Sequence, residues 1–141
     1  MDRRLFNSFC SSLPETTYVS QWRGSQVWKI GRKVFAIENW HRERLGGITF
    51  KASETSFEHL KEVKGIRPAP YFASRGLKWV QYYLQNSLTL NVLERYIAKS
   101  YLEVSSSLPS KLQRELNLPV QIDRPSASAT LLAGATQESR A

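Results

Sequence analysis

The chain predicts a two-layer α+β domain in the order helix, three strands, helix, two strands, helix, with an antiparallel sheet covered by helices on one face. Three observations carry this expectation. Apolar residues recur at helical spacing in three stretches. Branched and aromatic residues of high β propensity fill the segments between them. Gly or Pro stands at several changes of period, at Pro14, Gly31, Gly65 and Pro109.

Asp2 can cap a first helix whose Leu5, Phe6, Phe9 and Leu13 share a face, with Pro14 just beyond its end. Cys10 falls beside Phe6 and Phe9, so it reads as a buried small hydrophobe rather than a reactive thiol. Trp22-Arg23-Gly24 opens the sheet. Val27-Trp28-Lys29-Ile30 and Val34-Phe35-Ala36-Ile37 then flank a tight turn centred on Gly31 and Arg32, because glycine supplies the positive φ that a two-residue hairpin loop needs. Asn39 to Gly46 makes an arm carrying Trp40, His41, Arg42 and Arg44, and Gly47 to Lys51 returns as the third strand.

The second helix starts near Ser53, where Ser53 or Thr55 can cap it, and Phe57, Leu60 and Val63 form its inner stripe up to Gly65. Pro68 and Pro70 then fix φ twice and disfavour the helical region at Arg67 and Ala69, so a rigid extended segment follows. Pro70 to Ala73 and Lys78 to Leu84 read as a second hairpin joined by Ser74-Arg75-Gly76-Leu77. In the last helix, about Thr89 to Ser107, Leu90, Leu93, Ile97, Tyr101, Val104 and Leu108 share one side, and Pro109 stops it. The domain is expected to span 1–117. Residues 118–141, rich in Ser, Ala, Thr and Pro without periodicity, are expected to be a disordered tail.

Several function classes have no support in the composition. The only aspartates are Asp2 and Asp123, and the only imidazoles His41 and His59, so a nucleophilic triad would need a glutamate as its acid. One cysteine and no H-x-x-x-H or C-x-x-C spacing argue against a structural metal site. Neither glycine-rich nucleotide cradle is present. No catalytic residue, metal or cofactor is therefore expected. No stretch approaches the roughly 20 apolar residues of a membrane span, and a lone cysteine fits a reducing compartment, so a cytoplasmic protein is expected.

The charge is concentrated. Residues 1–117 hold 18 Lys and Arg against 10 acids, whereas the last 24 residues are balanced. Between Arg23 and Lys51 lie Arg23, Lys29, Arg32, Lys33, Arg42, Arg44 and Lys51 against only Glu38 and Glu43, with Trp28, Trp40 and Phe50 interleaved. Arg67, Arg75 and Lys78 supply a second cluster. Cations at hairpin tips can meet a phosphate backbone, and a two-stranded ribbon fits the major groove. The same cations also suit solvated strand edges, where they prevent pairing between sheets. Trp28, Tyr71 and Trp79 are expected to pack in the core rather than to stack on bases.

The segment Gly65-Ile66-Arg67-Pro68-Ala69-Pro70-Tyr71-Phe72-Ala73 with Lys78-Trp79-Val80 resembles the signature of the MmcQ/YjbR family. Val27 to Ala36, Ile48 to Ala52 and Ser100-Tyr101-Leu102-Glu103-Val104 are similar to further family segments, in the family's order, over roughly residues 3 to 114. Ser74-Arg75-Gly76-Leu77 departs from the short basic stretch more usual there. The resemblance implies the same helix-covered sheet, akin both to secretion-chaperone domains and to a "double wing" DNA-binding module, in a bacterial protein. The expected function is non-enzymatic binding of duplex DNA through Arg23, Arg32, Lys33, Arg42, Arg44, Lys51, Arg67, Arg75 and Lys78. The alternative is a protein-interaction or chaperone-like module that holds a peptide on its sheet face.

Overall fold

The structure, a computed structural model, describes residues 1–40, 47–83 and 87–118. Residues 41–46 of the arm expected at Asn39 to Gly46, with His41, Arg42 and Arg44, and residues 119–141 of the tail expected at 118–141 lie outside the described residues. Along the chain run α1 (Arg3–Ser12), β1 (Thr16–Gln21), β2 (Ser25–Ile30), β3 (Lys33–Glu38), β4 (Ile48–Lys51), α2 (Glu54–Leu60), β5 (Ile66–Pro68), β6 (Trp79–Tyr82), α3 (Leu90–Ser106) and α4 (Ser110–Glu115). The strands form one antiparallel sheet in the order β1-β2-β3-β4-β6-β5. The expected fold class is borne out, with one strand and one short helix more than the sequence indicated.

Capping fixes where the helices begin. Asp2 Oδ1 accepts the Leu5 N–H at 2.8 Å, Ser53 Oγ that of Ser56 at 3.1 Å and Thr89 Oγ1 that of Val92 at 3.3 Å, each satisfying an amide that helix geometry leaves over. The turn between β2 and β3 has Gly31 and Arg32 at φ 57° and 71°, the left-handed pair of a type I′ hairpin. A Cβ on Gly31 would stand 2.6 Å from Leu108 Cδ1, and Leu108 is itself buried. Gly31→Ala is therefore expected to cost about 1–3 kcal/mol through left-handed strain and overpacking. An unchanged urea midpoint would contradict this packing.

Three expectations need correction. Thr16–Gln21 is a strand, so Trp22-Arg23-Gly24 is the β1–β2 loop rather than the opening of the sheet. Pro70 to Ala73 is not a strand: β5 lies earlier, at Ile66–Pro68, and Ala73–Arg75 forms a 3-10 turn closed by Gly76 at φ 77°. Pro68 has no N–H to give a ladder, which suits its place on the edge strand. Pro109 does end α3, yet it also begins α4, since a proline's missing N–H costs nothing in a first helical turn.

The strand register divides the sheet into two faces. The row Tyr18, Trp28, Ala36, Phe50, Val80 and Pro68 is on the side of the helices, with its four central members buried and its ends, Tyr18 and Pro68, exposed. There Phe6, Phe9 and Cys10 of α1, Phe57 and Leu60 of α2, and Leu93, Ile97, Tyr101 and Val104 of α3 complete the core. Each such side chain contributes about 1.5–3 kcal/mol of burial. Leu90, expected inside, is exposed at the first turn of α3. Leu118 packs onto the core and its N–H bonds the Gln113 carbonyl.

Two side chains of α3 fasten it to the rest of the domain. Ser100 Oγ donates to the Phe35 carbonyl at 2.6 Å and accepts the Lys51 N–H at 2.9 Å, bridging β3 and β4. Tyr101 Oη donates to the Pro14 carbonyl at 2.6 Å, behind α1. Desolvation, with a smaller push from Glu15, raises the Tyr101 phenol well above its ordinary pKa. Burial likewise pushes the Cys10 thiol up, away from the reactive thiolate.

Candidate nucleic-acid interface

The opposite face of the sheet carries the row Val19, Val27, Ile37, Thr49, Gln81 and Arg67, one residue from each strand. Its four central members are fully buried although they face away from α1, α2 and α3. Two segments fold back over it. Gln81 Nε2 donates to the Trp40 carbonyl at 2.8 Å and to Thr49 Oγ1 at 3.2 Å, which fixes the chain leaving β3 above the sheet centre. Trp40 Nε1 in turn donates to the Pro70 carbonyl at 2.9 Å, in the rigid loop that the two prolines define.

Aromatic rings join these segments into a ridge. Trp22 meets Trp40 edge to face at 5.0 Å, Trp40 meets Tyr71 at 6.4 Å and Phe72 at 5.6 Å, and Phe72 stacks on Trp79 at 4.5 Å. Trp28 and Trp79 are buried, as expected. Tyr71 is not: it is 55% exposed, and Trp22 is 46% exposed. The expectation that Tyr71 packs in the core is therefore corrected. Its backbone lies in the left-handed region, at φ 72°.

The expected site residues separate into groups. Arg32 and Lys33 form the exposed tip between β2 and β3. Lys51 ends β4 and pairs in register with Trp79, so it sits at the same end of the sheet as that tip, as does exposed Lys78 just before β6. Lys29, half-buried one residue from the end of β2, adds a cation there. Lys78 lies 4.8 Å from the Phe57 ring. Its field is a minor contributor to the lowered pKa of Glu58, behind the hydrogen bond from Lys61.

Arg75 is exposed in the loop before β6, with its guanidinium 5.5 Å over Tyr71. Arg23 is exposed in the β1–β2 loop at the far end of the sheet, beside Trp22. Arg67 is held within the fold: its Nε and Nη2 both donate to Gln81 Oε1, at 2.9 and 2.7 Å, and it lies 5.4 Å from the Tyr83 ring. Arg42 and Arg44 lie outside the described residues. Among the described residues, none of Arg23, Arg32, Lys33 and Arg75 has a carboxylate partner.

Glu38, by contrast, is buried and bound to Arg3 Nε at 2.8 Å, while Arg3 Nη2 reaches the Gly24 carbonyl at 3.1 Å. Burial raises the Glu38 carboxyl above its usual range and Arg3 partly opposes the shift. The pair ties α1 to the end of β3, and the Gly24 bond ties it to the β1–β2 loop. His59 is exposed on α2. No three His, Cys, Asp or Glu side chains gather as metal ligands among the described residues, and no helix among them is long and apolar enough to cross a membrane.

Sequence reasoning missed the ridge itself. A tryptophan in a hairpin loop, within Trp22-Arg23-Gly24, was the available signal, because a loop between paired strands lies at the surface.

A likeness to solved structures bears on the fold. The domain superimposes on Deinococcus radiodurans protein DR2400, whose crystal structure carries the DUF419 family-model domain, with a TM-score of 0.71 and 20% identity, covering 84% of this chain and 89% of that one. No functionally curated protein matches the sequence. The YjbR family model matches residues 11–103, from the end of α1 to the last turn of α3, and so takes in every strand of the sheet together with Ser100 and Tyr101. The chain belongs to the YjbR family.

Proposed function

We propose that this domain is a non-enzymatic DNA-binding protein that meets the backbone of duplex DNA with the end of its sheet formed by Arg32, Lys33, Lys51 and Lys78. The observation that carries this reading is that the exposed hairpin-tip cations Arg32 and Lys33 have no carboxylate partner among the described residues, at the same sheet end as Lys51 and Lys78. From β2 to β6 there are three interstrand gaps, about 14–15 Å in all. With roughly 3.4 Å of axial rise per phosphate on one strand, such a row spans about four phosphates. The peptide-holding alternative has less support, because Trp40 and Phe72 already occupy the centre of the second face.

Fluorescence anisotropy with a labelled duplex tests the assignment. Arg32→Ala, Lys33→Ala and Lys78→Ala combined should weaken binding at least tenfold, since each phosphate contact supplies part of a largely electrostatic affinity. A control with Arg4→Ala, Lys64→Ala and Arg95→Ala, all exposed elsewhere, removes the same charge. Equal weakening by both sets would mean that only overall charge attracts the duplex.

A further inference from the structure

The second face holds a feature that phosphate contact does not use. Trp22 and Tyr71 are large aromatics exposed to solvent, and both lean on the same ring, Trp40. Bulky residues strongly avoid positive φ, yet Trp22, Arg23 and Tyr71 stand at 51°, 63° and 72°.

Trp40 cannot swing away. Its carbonyl is bound by Gln81 and its indole N–H by Pro70. The residue before it is also under strain: Asn39 has φ 69°, and its Oδ1 is a buried side-chain acceptor without a hydrogen bond. Unfavourable conformations of this kind persist where the surrounding structure enforces them, and they concentrate at ligand sites.

Charge narrows the ligand class. Arg23 adjoins Trp22 in the chain and Arg75 lies over Tyr71, so a cation stands at each end of the exposed aromatic pair. Neither arginine has a carboxylate partner among the described residues. Aromatic faces alternating with unpaired cations match a chain whose own flat π systems alternate with anions. That description fits single-stranded nucleic acid, in which the bases are free to leave the stack. A duplex keeps its bases stacked and would offer the ridge only phosphate.

We infer that Trp22 and Tyr71, backed by Trp40 and flanked by Arg23 and Arg75, form a stacking site for unpaired bases of a single strand. This rests on the proposed function only in taking nucleic acid as the ligand class, since the ridge and the Arg32–Lys33 tip use different residues. Together they would suit a strand that leaves a duplex.

Titrating the full chain separately with a short oligothymidylate, an oligouridylate, an abasic deoxyribose-phosphate strand and a blunt duplex tests the assignment, with tryptophan emission as readout. Base-bearing strands should quench emission and bind about tenfold more tightly than the abasic strand. The better of the two base-bearing strands identifies DNA or RNA as the source. Trp22→Leu and Tyr71→Leu, which keep an aliphatic side chain, should each lower single-strand affinity about tenfold and leave duplex affinity within twofold. Trp22→Phe, which retains a ring, should keep most of it. Abasic and base-bearing strands of equal affinity would overturn the stacking site, as would leucine variants that weaken single-strand and duplex binding alike. Duplex binding without any single-strand binding overturns the inference and spares the proposed function, and the reverse result does the opposite.

Discussion

Trp79→Ala is expected to lower the free energy of unfolding by about 3–5 kcal/mol, the usual loss when an aromatic core site is emptied. Trp79 is buried at the start of β6, with Phe72 stacked on it at 4.5 Å and 13°. The cavity would open on the face that carries Gln81, away from α1, α2 and α3. Phe72 could move into it only by giving up part of its contact with Trp40, at 5.6 Å. A small domain has stability of the order of 5–15 kcal/mol, so the loss is a large fraction of the whole. Urea unfolding followed by far-UV circular dichroism measures it. An unchanged midpoint would mean that Trp79 contributes no packing.

Gln81→Ala should cost about 2–4 kcal/mol for a different reason. Its side chain is fully buried, and its Oε1 accepts both Arg67 N–H groups while its Nε2 serves Trp40 and Thr49. Truncation removes a shared acceptor from a cation and a donor from two oxygens, and the groups left behind bear most of the penalty. Combining it with Arg67→Met should therefore cost less than the two single changes added together. Strict additivity in denaturation measurements would show that the two side chains act independently.

The parts of the fold that were legible in the sequence depend on local rules. Asp2 before an apolar helical stripe, Gly31-Arg32 between two β-prone runs, and the long stripe from Leu93 to Leu108 each specify their element without outside help. The elements that were missed depend on partners. Thr16–Gln21 is an edge strand that is mostly solvated, so it lacks the alternation that marks a half-buried one. Tyr71-Phe72-Ala73 has strand-like composition, yet Phe72 is committed to Trp79 and Trp40 through a 3-10 turn. No spacing rule announces that contact.

The candidate interface divides in the same way. Arg32 is exposed as the second residue of the two-residue turn and Lys33 as the residue that opens β3 beside it, and that was readable from the turn alone. Arg67 reads as one more cation in the sequence. Its engagement follows only from β5 pairing with β6, which sets it opposite Gln81. Trp22, Trp40 and Tyr71 are far apart in the chain and meet only because two loops fold over the second face.

The dependence of duplex affinity on salt tests the nucleic-acid assignment most directly. The slope of log K against log salt counts the phosphates engaged, at roughly 0.9 for each. The combined Arg32→Ala, Lys33→Ala and Lys78→Ala chain should show a slope smaller in magnitude by up to about 3 than the unaltered chain, at unchanged stability. The Arg4, Lys64 and Arg95 control should keep the original slope. Identical slopes for all three chains, or no duplex binding at low salt, would contradict it.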